Sequence, residues 1–483
     1  MEAQSLSVKR AQVEFHQFAS LGEPEVALRA YLDENVRRGA ILRNHLGFAG
    51  ALSPFLEIGA NAGHSSYLLA NEFGAEGFAL DISADALRHG RALMDLWKLE
   101  RAPVRVAGDA VRLPFADSSL RFVCAFQMLS QFMDIEQVFL EVKRVLMPGG
   151  VFFFAEEPIR RTLSLRLMRV PYERQMKPWE RKLHEWGLLG YLAKDVIGAH
   201  QEESFGIRQN HRMTLRDWHD LIAKHFAAHE YELFVPRRGW GETSVAALAH
   251  SLDRLHSEWL PARLLGGTLA AFCRKAGDPP PAAPTLADGF ERFLRCPDCA
   301  APLRRAEAET LICTACSYQA PDEGGVYNLL PSADRKSLYP GARPDILDFG
   351  QPEHAAALRD GFYALEGVYG NRFRWIGRRA VCRLVRVDPG PMQLRLRGHA
   401  SEHFLQQGRP ARLEIRANGE SVGHWTLDRP GLFVLEAPIV DAGEYEIEIL
   451  ASPTYKVPPD ERTFSVNVSL IRLVPREAQA ASL

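Results

Sequence analysis

Between Phe55 and Arg274, short apolar runs alternate with longer amphipathic stretches that have helical spacing. This alternation is typical of βαβ units, in which parallel strands form a sheet that helices cover. Residues 1–50 are predicted to be helices that lead into the sheet, and its last strand is predicted at 268–274. The pattern therefore predicts an α/β, doubly wound domain over residues 51–276.

The pattern changes twice after this domain. Residues 277–290 are rich in Pro and Ala and are predicted to be a linker. Residues 291–333 form a segment too short to build an adequate hydrophobic core without an additional cross-link such as a bound metal ion. Over residues 358–477 apolar positions recur with period two, and Asn418-Gly419 separates two such runs as a hairpin signal. These features predict an antiparallel β-sandwich.

Composition limits the possible partners. The 483 residues have a formal net charge of -2, with no basic excess that would point to a nucleic-acid partner. The first residues lack the pattern of a secretory signal, and no run reaches the roughly 18 apolar residues of a membrane span. We therefore expect a cytoplasmic protein. Three single cysteines in apolar runs are predicted to pack in the cores, namely Cys124, Cys273 and Cys382.

A small-residue turn follows the first predicted strand. The segment from Phe55 to Ser66 reads as a buried strand, a turn containing Gly59 and Gly63, and the start of a helix over 65–73. Glycines let a ligand approach the backbone, and a helix start offers free N–H groups. A dinucleotide site prefers G-x-G-x-x-G, but here Asn61 and His64 stand at the second and third glycine positions. The turn thus favours a ligand other than a dinucleotide.

Acidic residues end the next two predicted strands. Asp81 ends the strand that begins at Gly77, where its carboxylate can accept from ribose hydroxyls. Asp109 ends the strand that begins at Val104. A fourth strand is predicted over 122–127, and a fifth follows the Pro-Gly-Gly turn at 148–150.

This ordered set resembles the class I, Rossmann-like family of S-adenosylmethionine-dependent methyltransferases, over about residues 50–275. The resemblance implies that Glu57, Gly59, Asn61 and Gly63 correspond to the family's first motif, with Asn61 in place of its middle glycine. It further implies that Asp81 holds the ribose, that Ile82 packs on the adenine and that Asp109, beside Ala110, accepts from the adenine amino group. Gln127 is expected near the methionine part. The complete predicted cofactor set is Glu57, Gly59, Ala60, Asn61, Gly63, Asp81, Ile82, Asp109, Ala110 and Gln127.

The acceptor is expected to lie under an insertion at residues 158–212, because ligands of open α/β sheets bind beyond the carboxyl ends of the strands. Methyl transfer mainly requires alignment and exclusion of water, and a base only for hydroxyl or amine acceptors. Six residues in or beside the insertion are candidates for binding the acceptor or removing a proton, namely Glu156, Glu157, His200, Glu202, Glu203 and His211. The arginines of the insertion are equally consistent with a solvated face.

Two CxxC pairs, Cys296/Cys299 and Cys313/Cys316, have the spacing C-x2-C-x13-C-x2-C. Four thiolates can close one tetrahedral Zn²⁺ site with no open position, so the metal is predicted to be structural. With the following residues 322–330, the segment resembles the zinc-ribbon family that includes activator subunits of tRNA and release-factor methyltransferases. That resemblance suggests a ribbon packed on the catalytic domain or presenting substrate to it.

The C-terminal domain loosely resembles β-sandwich modules attached to bacterial polysaccharide-building enzymes. Four of its aromatic residues can stack on sugar rings or can simply pack in the core, namely Tyr369, Trp375, Trp425 and Tyr455. The sequence thus predicts a methyltransferase with a small-molecule or glycan acceptor. Two alternatives stay open: an RNA methyltransferase, and a cofactor-binding scaffold without catalysis. The scaffold is considered because Leu129-Ser-Gln-Phe132 replaces the Leu-His-His stretch common after the family's fourth strand.

Overall fold

The chain forms two compact units in a computed structural model. The structure describes residues 6, 9, 10, 12–14, 16, 24–132, 134–160, 165–167, 178, 179, 189–191, 213–234, 267–280, 284–368, 371–401, 405, 410–428 and 430–476. The first unit, here the α/β unit, contains Glu23–Ile197 and Gly206–Lys336. The second, here the β unit, contains Met1–Gly22, Gly198–Phe205 and Ser337–Leu483. Among the described helices, none is both long and apolar enough to cross a membrane.

The α/β unit is built on a mixed sheet with helices packed against it. Its helices are α1 (Pro24–Asn44), α2 (Leu46–Ala49), α3 (His64–Glu72), α4 (Ala84–Gly90), α5 (Ala92–Trp97), α6 (Ile135–Val145) and α7 (Leu215–His225). Its first strands are β1 (Phe55–Ile58), β2 (Gly77–Asp81), β3 (Val104–Ala107), β4 (Leu120–Phe126) and β5 (Leu146–Ile159). A separate short pair is formed by β6 (Leu165–Leu167) and β7 (Leu189–Tyr191), and β8 (Ala228–Phe234) and β9 (Gly267–Arg274) complete the main sheet at one side.

The order of the main sheet brings the predicted strand ends together. Strands β3, β2, β1, β4 and β5 are neighbours and run parallel. Strand β9 pairs antiparallel with β5, and β8 pairs antiparallel with β9. The sheet is stable because β1 and β2 are buried along their whole length, and large aromatic side chains such as Phe139, Phe152 and Trp218 fill the core beside it. The prediction of a largely parallel α/β sheet is confirmed. Since parallel strands point the same way, their carboxyl ends line one edge.

The segment with the four cysteines adds a strand to this sheet. Its strands β10 (Leu303–Arg305), β11 (Leu311–Cys313) and β12 (Gln319–Ala320) form a small antiparallel sheet. The next strand, β13 (Val326–Asn328), pairs in parallel with β3 at the edge of the main sheet. The Leu329 N–H also donates to the Ala107 carbonyl at 2.8 Å. The segment is therefore continuous with the α/β unit through backbone hydrogen bonds.

The β unit forms one antiparallel sheet. Helix α8 (Ser332–Leu338) leads into it, followed by β14 (Ile346–Asp348), β15 (Leu358–Glu366), β16 (Phe373–Val385), β17 (Met392–Ala400), β18 (Ala411–Ala417), β19 (Glu420–Leu427), β20 (Gly431–Pro438), β21 (Glu444–Ser452), β22 (Tyr455–Lys456), β23 (Thr463–Phe464) and β24 (Asn467–Pro475). The order β19-β18-β21-β16-β24-β17-β20 is continuous, with β14 on β24 and β15 on β16. The β22/β23 pair is separate. The predicted hairpin at Asn418-Gly419 is confirmed, with φ of 52° and 86°.

The predicted antiparallel structure is confirmed, but its layering differs from a sandwich of two separate sheets. The first part of β16 pairs with β24 and its second part with β21, so this long strand joins the two halves into one sheet that curls toward a barrel. Strands that pass from one layer to another in this way make the corners of β-structures. The single cysteines are fully buried in the cores, which confirms their predicted packing role.

Candidate functional site

The turn between β1 and α3 has the backbone conformation that its glycines permit. Gly59 and Gly63 have φ of 71° and 79°, and Asn61 has φ of 50°. Gly63 caps α3, and a Cβ added at Gly59 would lie 3.0 Å from the Met128 side chain. Only a residue without a side chain fits Gly59 without strain, so the turn packs closely against the loop after β4.

Asp81 holds the same turn from the neighbouring strand. Its Oδ2 accepts from the Asn61 N–H and its Oδ1 from the Ser83 N–H, both at 2.8 Å. Each carboxylate oxygen has two lone pairs, so each keeps one for a further donor such as a ribose hydroxyl. Asp81 is 3% exposed, so its carboxylate lies largely out of contact with solvent.

Glu57 lies beneath the turn and is buried. Its Oε2 accepts from the Ser66 hydroxyl, which stands in the first turn of α3. Burial raises the pKa of the Glu57 carboxyl to about 7, although the Ser66 hydrogen bond and the nearby Arg38 charge oppose the shift. The side chain therefore connects β1 to α3 and fixes the shape of the turn from inside.

The remaining predicted cofactor residues lie at the same edge of the sheet. Asp109 and Ala110 are buried after β3, and the Asp109 carboxylate accepts from the Val111 N–H at 3.0 Å. Ile82 is partly exposed after β2, and Gln127 is exposed after β4 with φ of 52°. The structure thus brings all the predicted cofactor residues to consecutive strand ends, and their individual roles stay predictions.

Helix α1 covers the glycine turn, which the sequence did not predict. Tyr31 stacks on His64 with ring centroids 4.2 Å apart, and the Asn35 amide donates to the His64 carbonyl at 3.0 Å. The Arg38 guanidinium donates to the Ser65 hydroxyl at 2.9 Å and to Glu156 at 2.6 Å. The signal for this role was present in the sequence, because residues 31, 35 and 38 share one face of a helix.

Gly90 is a second residue that the sequence did not single out. It is the last residue of α4, and a Cβ placed there would lie 1.9 Å from the carbonyl oxygen of Ala62. This glycine therefore lets α4 pack directly against the turn. Its isolated position in a helical pattern gave no indication of that contact.

Glu156 and Glu157 are the two candidate acceptor-binding residues that lie in the described part of the chain. Both carboxylates bind other groups of the protein. Glu156 pairs with Arg38 and Arg37, at 2.6 and 3.3 Å. The Glu157 carboxylate, fully buried, accepts the backbone N–H groups of residues 128, 129 and 130 at 2.8 to 3.0 Å. Burial raises the pKa of the Glu157 carboxyl to about 7, against these hydrogen bonds. Both side chains thus position the loop after β4 and α1.

The other predicted acceptor-side residues, His200, Glu202, Glu203 and His211, lie outside the described residues. Most of the predicted insertion at 158–212 also does. Their assignment stays a prediction.

The four cysteines of the CxxC pairs converge. Their Sγ atoms all lie within 4.8 Å of one another, as the ligands of one metal ion do. The Ala315 and Cys316 N–H groups donate to the Cys313 sulfur at 3.3 and 3.4 Å. Burial opposes a charged thiolate, but hydrogen bonds from backbone and neighbouring cysteines lower the pKa of the Cys313 thiol to about 7, whereas burial raises the pKa of the Cys296 thiol to about 12. Geometry and donor chemistry therefore fit a tetrahedral thiolate site.

The aromatic residues proposed for sugar stacking are partly buried. Trp375 packs edge-on against Phe464 at 5.5 Å, and Trp425 packs against the core of the β unit. Tyr455 is partly buried, and Tyr369 lies outside the described residues. These contacts favour packing for the two tryptophans.

Comparisons with known proteins agree with this arrangement. Residues 56–154, which span β1 to β5, match a family model described as a methyltransferase domain. Over 109 residues the chain is 32% identical to the methyltransferase GfsG of Streptomyces halstedii, covering 23% of this chain and 39% of GfsG. Over 87 residues it is 37% identical to the demethylmenaquinone methyltransferase of Listeria welshimeri, covering 18% of this chain and 36% of that protein.

The chain therefore spans about two fifths or less of these curated relatives. Among solved structures, phosphoethanolamine N-methyltransferase 2 of Haemonchus contortus in complex with S-adenosyl-L-methionine matches over 51% of this chain and 53% of that one. The identity is 15% and the TM-score 0.32. Residues 56–154 of the α/β unit are thus similar in sequence to methyltransferase domains.

Proposed function

We propose that this chain is an S-adenosylmethionine-dependent methyltransferase that acts on a small-molecule or glycan acceptor. The observation that carries the proposal is the position of Asp81, whose carboxylate holds the glycine turn and keeps one acceptor lone pair on each oxygen. A ribose presents two neighbouring hydroxyls, which match those two acceptors. The methyltransferase-domain match over residues 56–154 supports the same reading.

The residues around this site suit a reaction that depends on alignment. S-adenosylmethionine supplies a methyl group on a positively charged sulfur, which an acceptor atom displaces in line. The chain's own contribution is to bind both partners, orient them and exclude water. Glu157 fixes the loop after β4 through three backbone hydrogen bonds, and Met128 of that loop lies against Gly59. We infer that this loop borders the methionine part of the cofactor, and its contact with the glycine turn supports that position.

We further propose that the four cysteines hold one structural Zn²⁺. Four thiolates leave the ion no open position for catalysis, so the metal would be structural. The convergence of the four sulfurs and the N–H donors to Cys313 support this assignment.

The test is transfer of a labelled methyl group by the zinc-loaded full chain to small-molecule, glycan and RNA acceptors. We expect transfer to one of the first two, with little dependence on salt because a neutral acceptor releases no counterions. Transfer to RNA that falls steeply with ionic strength would favour the RNA alternative. Cofactor binding without transfer to any acceptor would favour the scaffold.

A further inference from the structure

Two neighbouring strands of the β unit carry three arginines on the face of the sheet that points away from its core. Arg395 on β17 lies directly opposite Arg472 on β24, and Arg397 is two residues further along β17 on the same face. The residues between them, Leu396 and Ile471, belong to the core. Like charges that lie directly opposite on adjacent strands destabilise the pair. This arginine face therefore needs an anion.

Glu14 of the chain's N-terminal segment supplies that anion. Here the N-terminal segment means the described residues 6, 9, 10, 12–14 and 16, which belong to the β unit. The Arg395 Nε donates to the Glu14 Oε2 at 2.5 Å, and the Arg397 Nη1 donates to the Glu14 carbonyl at 2.6 Å. Val13 and Glu14 are each 3% exposed, so these residues of the segment are packed against the arginine face.

A single carboxylate satisfies this face incompletely. The Glu14 Oε1 lies 3.5 Å from the Arg472 Nη1, and neither Glu14 Oε1 nor Arg472 Nε has a hydrogen-bond partner among the described residues. Glu436 is the other carboxylate on Arg395, and it is 44% exposed. Among the described residues, Arg472 also lies near the carboxylate of Asp345, which pairs with Arg343, and near the positive charge of Arg10. A phosphate group carries more charge and more acceptor oxygens than a carboxylate, and it pairs with arginine in bidentate fashion.

We propose that the arginine face is an anion-binding site, that the N-terminal segment occupies it through Glu14, and that a ligand bearing a phosphate group competes with the segment for it. The segment acts as an internal ligand of the β unit. It closes the site when no phosphate-bearing ligand is present and leaves when one binds.

Space for the rest of such a ligand lies beside the face. Ile346 on β14 is the strand partner of Arg472, and it lines a cavity of about 370 Å³. Arg343, Arg359 and Arg383 also line this cavity, together with the carboxylates Asp348 and Glu353. Small-molecule sites have volumes of roughly 300–1,000 Å³, so the cavity is large enough for a small phosphate ester.

The first experiment is calorimetric titration of the full chain with inorganic pyrophosphate, at an ionic strength held constant with sodium chloride. Glu14→Gln keeps the size of the side chain and removes the internal anion, so we expect it to bind pyrophosphate about tenfold more tightly than the wild type. Glu414→Gln is the matched control, because Glu414 pairs with Arg416 elsewhere in the same unit. The added change Arg395→Gln is expected to abolish the gain. Equal affinity in Glu14→Gln and the wild type would overturn the proposal.

The second experiment uses the unmodified chain and so does not depend on the folding of a variant. Amide hydrogen exchange at Val13 and Glu14 is compared in pyrophosphate and in chloride of equal ionic strength. Competition predicts that pyrophosphate accelerates exchange at these amides several-fold, whereas chloride leaves them protected. Unchanged protection at saturating pyrophosphate would contradict the proposal. Neither experiment involves methyl transfer, so this inference stands or falls independently of the proposed function.

Discussion

Glu57 shows how burial sets the behaviour of a single side chain at the site. Its carboxyl pKa is about 7 in the folded chain, against an ordinary value near 4.5, because burial disfavours the charged form. The folded state therefore holds this proton more tightly than the unfolded state. The sign follows: the carboxyl favours folding fully below about pH 4.5, and this contribution is lost as the pH rises through 7.

We predict that Glu57→Gln removes this pH dependence. A shift of one pKa unit corresponds to about 1.4 kcal/mol, so the wild-type free energy of unfolding should fall by about 3 kcal/mol more than that of the variant between pH 4.5 and pH 8. Urea unfolding at both pH values measures the difference. Parallel pH profiles for the two proteins would show that the carboxyl titrates normally.

A second prediction concerns the backbone of the glycine turn. Gly59→Ala puts a side chain at φ of 71° and brings its Cβ to 3.0 Å from Met128, so we expect the free energy of unfolding to fall by about 1–2 kcal/mol and cofactor affinity to weaken. Gly47→Ala is the control, because Gly47 lies within α2 with nothing within 4 Å of an added Cβ. Equal stability of the two variants in urea unfolding would refute the strain argument.

At this scale, the sequence was most informative where chemistry is local. Gly59, Gly63 and Asp81 follow strand ends in a recognisable order, and the structure brings them together at one edge. Tyr31 and Arg38 were not identified, because their shared helix face does not show which surface it covers, and their contacts with the turn join residues about 30 positions apart.

Among the elements, the four-cysteine segment contacts the residues that follow β2 and β3. The Arg112 guanidinium, in the loop after Asp109, donates to the Asp298 carbonyl between the first two cysteines at 3.1 Å. After β2, the Arg88 side chain of α4 donates to the Glu323 carboxylate at 2.9 Å. Order in the four-cysteine segment is therefore tied to order at the expected adenosine pocket.

We predict that removing the metal weakens cofactor binding without direct contact between the two sites. Treatment with a chelator should lower the affinity for S-adenosylhomocysteine by about tenfold or more, and it should deprotect the Leu329 amide, which bonds to β3. Calorimetry and hydrogen exchange measure the two effects. Zn²⁺ should restore both and Mg²⁺ neither, since thiolates select Zn²⁺. Full cofactor affinity in demonstrably metal-free protein would show that cofactor binding does not depend on the metal.

The strands of the main sheet were predictable from their apolar runs, but the position of β13 was not. Val326–Asn328 is only three residues long, and its partner β3 lies more than 200 positions earlier in the chain. Such pairing is decided by packing of the whole segment. The sequence does not predict the curl of the C-terminal sheet for the same reason, because β16 changes partners along its length.

For the whole molecule, the two units each have a hydrophobic core of their own. We predict two unfolding transitions in scanning calorimetry, of which S-adenosylhomocysteine raises only the one of the α/β unit. At a ligand concentration one hundred times Kd the stabilisation is about 2.7 kcal/mol, which corresponds to a shift of roughly 5–10 °C. Equal shifts of both transitions would show that the ligand does not act on the α/β unit alone.

The sequence also does not predict how the chain is divided between the two units. Residues 1–50 were predicted as one group of helices, whereas residues 1–22 group with the β unit and α1 with the α/β unit. Helical periodicity predicts that a helix forms but does not identify the surface it packs against. The arginines that receive Glu14 lie almost 400 positions later in the chain.

The most direct test of the central claim is calorimetric titration of the zinc-loaded full chain with S-adenosylmethionine, comparing the wild type with Asp81→Ala. Asp95→Ala is the control, because Asp95 is exposed on α5 of the same unit. We predict micromolar binding by the wild type and the control, and loss of binding in Asp81→Ala while its circular dichroism stays that of a folded protein. No binding by folded wild type, or unchanged binding in Asp81→Ala, would contradict the assignment of the cofactor site.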